Sequence, residues 1–128
     1  MDYPAYIKSY NTANAERATA LQFFTEDVVL EDGKNQVKGR EAVIKQLEAA
    51  HVGISELLHI RSWAQAGETV LAELDGHFVS HEDTPDHFFY PFKKDETVRF
   101  RFMAAYTLAG GRFSHMRITY WQSPLSDE

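Results

Sequence analysis

Two short glycine turns constrain this chain more than anything else in it. Gly67-Glu68 separates the runs 56–66 (ELLHIRSWAQA) and 69–81 (TVLAELDGHFVSH), and Gly110-Gly111 separates 96–108 (ETVRFRFMAAYTL) from 112–122 (RFSHMRITYWQ). Long runs rich in β-branched and aromatic residues, joined by tight glycine turns, read as antiparallel hairpins. The sequence ahead of them reads as helical apart from one strand at 27–31. Helices first and antiparallel strands after, with no alternation of the two, predict an α+β fold in one domain over residues 1–128.

The helical third has its own punctuation. Asp2 or Tyr3 caps a short helix with Pro4 in the first turn, where a missing N–H costs nothing, and Tyr6, Ile7 and Tyr10 share one face. Asn11-Thr12-Ala13-Asn14 breaks that helix. A second follows over roughly 15–24 with Ala18, Leu21 and Phe24 along a stripe. Gly39 opens a third, placing Val43, Ile44, Leu47 and His51 on one side, with Gly53 as its stop.

Composition excludes several function classes. The net charge of −6 and the scattered bases argue against nucleic acid, whose phosphates demand a basic face. With no cysteine there is no disulfide, thiol nucleophile or cysteine metal site, a pattern that fits a cytoplasmic protein. No run reaches the ~18–20 apolar residues that cross a bilayer. Nine Phe and six Tyr imply a large core or an aromatic-lined cavity.

One acidic position stands out. The strand Val28-Val29-Leu30 ends in Glu31-Asp32-Gly33, and a strand delivers its last side chain to a fixed place. A carboxylate held in an apolar pocket has a raised pKa and suits general-base work. The competing reading is a simple turn, with Asp32 bonding its own backbone and Gly33 taking positive φ.

The layout resembles the NTF2-like superfamily, the cone-shaped fold of ketosteroid isomerases and SnoaL-like polyketide cyclases, in which N-terminal helices pack in a curved antiparallel sheet. The resemblance spans nearly the whole chain. It rests on Phe23-Phe24-Thr25-Glu26-Asp27-Val28, on Gly39-Arg40-Glu41-Ala42-Val43, and on the closing Gly110-Gly111-Arg112-Phe113. It implies that Asp32 is a general base at the cone's mouth and that Tyr6, in a Tyr6-Ile7 pair on the first helix, donates to a developing oxyanion. A phenol suits that role because it is neutral at pH 7 and a good donor; an amphipathic core tyrosine is the plainer alternative.

The chain departs from the isomerases on its fourth strand, where their second acid is replaced by Phe102-Met103-Ala104-Ala105. Loss of such a donor typically costs ~2.7–4 kcal/mol of transition-state stabilisation, which argues against steroid isomerisation. Ile118 stands where epoxide hydrolases of this fold need an acid in the last strand, which argues against that reaction.

The histidines offer less. His77 and His81 are ~13 Å apart at about 3.3 Å per strand residue, too far to share a metal. The loop cluster His81, Glu82, Asp83, Asp86, His87 matches no metal motif, and no metal is expected. Asp75 and His77 share a strand face, so they read either as an acid–His pair inside the cone, used by cyclase- or dehydratase-like relatives, or as a polar outer face.

Strand parity is read two ways. The alignment turns Met116, Ile118 and Tyr120 inward on the last strand and Arg101, Met103 and Ala105 inward on the fourth. Simple alternation buries Phe100 and Phe102 instead. Both hold if the outer face packs on a second subunit, as is frequent in this superfamily, because exposed Phe100, Phe102, Tyr106 and Trp121 would form an apolar patch that monomers rarely tolerate.

The expectation is a cofactor-independent, isomerase- or cyclase-like enzyme that moves a proton on a small, largely apolar carbonyl compound. Asp32 and Tyr6 carry the chemistry. Phe24, Trp63, Asp75, His77, Met103, Met116 and Tyr120 line the pocket, and a homodimer forms through the outer sheet face. The alternative is a non-catalytic binding or dimerisation module of the same fold.

Overall fold

A computed structural model describes residues 1–87 and 89–123, so the last residues of the expected 1–128 domain lie outside the described ones. The elements run α1 (Tyr3–Tyr10), α2 (Glu16–Phe23), β1 (Phe24–Glu31), β2 (Gln36–Lys38), α3 (Arg40–Ala50), β3 (Ile54–Ala66), β4 (Thr69–Ser80), β5 (Thr97–Ala109) and β6 (Arg112–Gln122). One six-stranded sheet has the order β2-β1-β6-β5-β4-β3. Its helices pack on the inner face, which makes this the expected α+β, NTF2-like cone. Every pairing is antiparallel except β1 with β6, which is parallel.

Local chemistry sets the helix ends. The Asp2 carboxylate accepts a hydrogen bond from the Ala5 N–H at 3.1 Å, capping α1. Gly39 adopts φ +93°, a backbone that side chains disfavour, to enter α3. The face of α2 is rotated from the expected stripe: Thr19, Ala20 and Phe23 are buried while Leu21 is 47% exposed. Phe24, expected on that helix, is instead the fully buried first residue of β1. The short β2 hairpin, unexpected from the sequence, pairs Leu30 with Val37 and fixes the loop between β1 and α3.

Strand parity follows simple alternation. On β5 the even residues Val98, Phe100, Phe102, Ala104, Tyr106 and Leu108 are buried, while Met103 is 43% exposed. The alignment-based expectation that Arg101, Met103 and Ala105 point inward is therefore overturned, and so is the exposed Phe100–Phe102–Tyr106 patch. Burying those rings removes far more apolar area from water than burying the odd-numbered set would. On β6 the inward set is Met116, Ile118 and Tyr120, as expected, with Trp121 49% exposed. On β4 the inward set is Val70, Ala72, Leu74, Gly76 and Phe78, which places Asp75 and His77 on the outer face and not in the cone.

A register shift between Ile60 and Ser62 marks a bulge in β3. Before it Glu56, Leu58 and Ile60 face inward; after it Trp63, opposite Ala72, takes the inward parity and packs on Tyr3 at 5.7 Å between ring centroids. Close packing of the aromatic interior is felt at Gly76, where an added Cβ would lie 2.5 Å from the Phe102 ring and 3.1 Å from Phe78. The segment between β4 and β5 folds over this end of the inner face. Its Phe89 packs on Tyr120 at 4.4 Å, on Phe100 at 4.7 Å and on Phe78 at 5.2 Å. His87 ties the same segment to the end of α3, donating from Nε2 to the Ala50 carbonyl at 3.0 Å while Nδ1 accepts from the Phe89 N–H.

Candidate active site

Between α1 and the inner sheet face lies a cavity of about 80 Å³. Leu30, Leu47, Leu58, Leu74, Phe102, Met116 and Ile118 form its apolar walls, and Tyr6, Tyr10, Tyr106 and Glu56 are its polar members. Parity delivers Glu56 there, since it alternates with Ile54 and Leu58 on the inner side of β3. The helix-1 tyrosines arrive by periodicity, Tyr3, Tyr6 and Tyr10 following one face of α1.

The three cavity phenols differ in what their hydroxyls do. Tyr106 bonds the fully buried Tyr3 hydroxyl at 2.8 Å. Tyr10 donates to Glu56 Oε1 at 2.8 Å. Tyr6 has no hydrogen-bond partner among the described residues, although it is only 5% exposed and packs edge-on against Phe113 at 4.7 Å. Burial, with the nearby Tyr106 and Glu56, holds the Tyr6 phenol well above its ordinary pKa, so it stays a neutral donor.

Glu56 belongs to a charged chain set into the side wall. His51, at the C-terminal cap of α3, contacts Glu56 Oε1 through Nε2 at 2.7 Å and Glu16 Oε2 through Nδ1 at 2.9 Å. Carboxylates only accept, so both ring nitrogens carry protons and His51 is an imidazolium. Burial pulls its pKa down, but the hydrogen bonds and charges of Glu56 and Glu16 outweigh this and raise it. The side chains of Glu16, His51 and Glu56 are 16%, 17% and 9% exposed, so the chain runs from the cavity wall towards solvent. With its two carboxylates on opposite ring nitrogens, the chain does not converge on a metal. No group of three acids or histidines among the described residues does so.

The residues singled out from sequence fall in different places. Tyr6, Phe24 and Met116 line the cavity. Asp32 lines neither this cavity nor the outer groove; its Oδ1 accepts from the Asn35 N–H at 3.0 Å and Gly33 takes φ +86°, which is the turn geometry. Its charge does reach Tyr120: burial and then Asp32 raise that phenol's pKa. Tyr120 sits in the aromatic cluster around Phe89. Trp63 and Met103 border a separate groove of about 630 Å³ on the outer sheet face, with Glu31, Leu71, Glu73 and Arg117.

Asp75 and His77, expected in the pocket, lie on that outer face. Asp75 accepts from Arg101 Nε at 2.7 Å and Arg61 Nη1 at 3.0 Å, and Glu73 accepts from Arg101 Nη1 at 2.9 Å. Burial would raise the Asp75 pKa, but the hydrogen bonds from Arg101 and Arg61 prevail and lower it. His77 packs edge-on against His59 at 5.1 Å. Sequence reasoning missed Glu56 and His51. The signals were an acid at inward parity on an amphipathic strand and a histidine on the apolar face of α3.

The chain's relatives match this architecture. A proposed polyketide cyclase of Xanthomonas campestris pv. campestris superimposes with a TM-score of 0.76 at 21% identity, over 93% of this chain and 87% of that one. A protein of Catenulispora acidiphila with a ketosteroid isomerase-like fold, in complex with trimethylamine, gives 0.72 at 13% over 91% and 82%. An LEH-like epoxide hydrolase of M. tuberculosis gives 0.68 at 16% over 91% and 80%. At these identities the likeness is one of fold. No curated protein matches the sequence. Residues 4–116 match the SnoaL-like domain, and the chain belongs to that family.

Proposed function

We propose that this chain is a cofactor-independent enzyme that moves a proton on a small, largely apolar carbonyl compound held inside the cone. One observation carries this: a phenol with an unspent hydroxyl, Tyr6, and a carboxylate, Glu56, line the same otherwise apolar cavity. Glu56 Oε1 is occupied by Tyr10 and His51, which leaves Oε2 to act. Oε2 takes a proton from the carbon next to the carbonyl. The C–H electron pair moves onto the carbonyl oxygen, and Tyr6 donates to the enolate oxygen so formed. Return of the proton to another carbon isomerises the compound; attack of the enolate on a second carbonyl carbon cyclises it. Asp32, held in its turn, is not needed for either step.

The cavity limits the ligand. An engineered apolar cavity of about 150 Å³ accepts benzene, so about 80 Å³ suits a compound of roughly four to six heavy atoms unless Phe89 and Tyr120 give way. Exchange of the α-protons of butanone in D2O, followed by NMR, tests the proposal. Wild type should exceed buffer, Glu56→Gln should fall to the buffer rate, and Asp32→Asn should stay near wild type. A wild type no faster than buffer, or a fully active Glu56→Gln, sinks it.

A second reading, a non-catalytic dimerisation module, draws on the outer face. Leu57, Leu71, Met103 and Trp121 are 39–63% exposed hydrophobics' companions there, at 49%, 54%, 43% and 49%, around the 630 Å³ groove. That is apolar surface a monomer rarely leaves in water. A homodimer through this face, in the cytoplasm, is compatible with either reading. Sedimentation velocity should give a dimer that Leu71→Lys dissociates, and a wild-type monomer at all concentrations would remove it.

A further inference from the structure

A base buried in an apolar wall faces an electrostatic problem that Glu56 alone cannot solve. An unpaired carboxylate there would protonate rather than stay charged, and each proton it accepted would change the charge of a low-dielectric site. The wall around Glu56 supplies an answer. His51 is packed against Glu56 from β3, Glu16 from α2 and Tyr10 from α1, with Tyr10 Oη 3.4 Å from Nε2. Tyr10 spends its proton on Glu56, so His51 exchanges protons only with the two carboxylates.

We infer that His51, backed by Glu16, holds Glu56 ionised and gives up its Nδ1 proton to Glu16 when Glu56 becomes protonated. This rests on the proposed role of Glu56 as base. The balance closes. Before proton abstraction the chain is Glu16 anionic, His51 cationic and Glu56 anionic, a net charge of −1. After it, Glu56 is neutral, His51 is neutral with Nε2–H still donated to Oε1, and Glu16 has passed the released proton to solvent and is anionic again. The net charge is still −1. The C–H bond broken on the ligand is matched by an O–H bond on Glu56, and the N–H bond broken on His51 by protonation of solvent. His51 is a positioning residue in this scheme, since it reaches the ligand only through Glu56.

The geometry gives a direct reason to expect this order of events. The wall near the cavity is dry, but Glu16 and His51 keep 16% and 17% exposure, so the outer end of the chain meets water and its inner end does not. Proton release therefore occurs at the outer end, and the closed aromatic end of the cone need not open for it.

The test is the pH profile of butanone exchange in D2O, alongside an NMR titration of the His51 ring nitrogens. In wild type the basic limb of the profile should coincide with the His51 midpoint, because activity requires the imidazolium. Glu16→Gln should lower both together by about one pH unit while leaving the plateau rate within about two-fold. His51→Gln should reduce the plateau about ten-fold or more and abolish the basic limb. A purely structural role predicts a uniform loss in Glu16→Gln with no movement of the limb, and that result overturns the inference. So does a wild-type limb lying more than about one unit from the His51 midpoint, a comparison needing no variant. If Glu56→Gln is inactive while the limb ignores Glu16→Gln, the inference fails and the proposed function stands. If Glu56→Gln exchanges like wild type, the proposed function fails and takes this inference with it.

Discussion

Replacing Tyr6 with Phe separates a hydroxyl kept for a ligand from one spent on the fold. Tyr6 packs against Phe23, Phe113 and Tyr106 rings, and Phe keeps every one of those contacts. Its hydroxyl has no hydrogen-bond partner among the described residues, so Tyr6→Phe should change stability by no more than about 0.5 kcal/mol. Tyr106→Phe is the matched control. It leaves the fully buried Tyr3 hydroxyl without its 2.8 Å partner, at a cost of about 1–3 kcal/mol. An unfolding entropy near 2.1 cal/mol/K per residue gives roughly 0.27 kcal/mol/K for 128 residues, so Tm should drop by about 4–11 °C in Tyr106→Phe and by less than about 2 °C in Tyr6→Phe. Butanone exchange should show the reverse ranking, with Tyr6→Phe losing about 10²–10³-fold, the usual effect of removing an oxyanion donor. Calorimetry and exchange measured on the same samples decide the matter. Equal destabilisation by both variants, or a stable Tyr6→Phe with undiminished exchange, would refute the argument.

Three further outcomes follow from the geometry. Gly76→Ala should destabilise by about 1–3 kcal/mol in chemical denaturation, since its Cβ would meet the Phe102 ring at 2.5 Å and an overfilled interior must shift. His51 has a folded pKa raised above 6.5, so its contribution to stability is complete below pH 6.5 and is lost as pH rises through the raised value. Denaturation curves should therefore show the gap between wild type and His51→Gln closing with rising pH, and a gap that widens contradicts the ion-pair chain. His77→Ala should leave butanone exchange near wild type because His77 is on the outer face; abolished exchange in a folded variant would restore a role for the Asp75–His77 pair.

Much of the architecture was legible because its causes are local. The glycine turns place β3–β4 and β5–β6 as hairpins, and Gly39 opens α3, where backbone conformation rather than distant packing decides. Parity on β5 was legible too, since alternation alone buries Phe100 and Phe102; the alignment to relatives displaced it by one residue and carried Met103 inward. Asp75 and His77 were misplaced for a different reason. They share a strand face, but which face depends on whether Leu74 or Asp75 meets the core, and the Arg61 and Arg101 partners that settle it come from other strands. Glu56 was passed over because an acid among apolar residues reads as solvent-facing until its partners are known. Tyr10, His51 and Glu16 lie 46, 5 and 40 positions away along the chain, and only the fold assembles them. β2 depends on pairing with β1 and has too few residues to announce itself.

The bulge in β3 ties together the two ends of that strand in a way that bears on how the chain can vary. Glu56 and Trp63 stand an odd number of residues apart, yet both face inward because one extra residue lies between Ile60 and Ser62. Deleting Arg61 would straighten the strand and force a choice. Either Ser62 and Ala64 swap faces with Trp63 and Gln65 relative to β4, or Glu56 leaves the cavity and Leu57 enters it. The first outcome strips Tyr3 of its ring contact; the second empties the wall of its carboxylate. Single-residue length changes in this stretch should thus be poorly tolerated even where the side chain removed is itself dispensable, whereas paired insertions of two residues preserve which face each end presents.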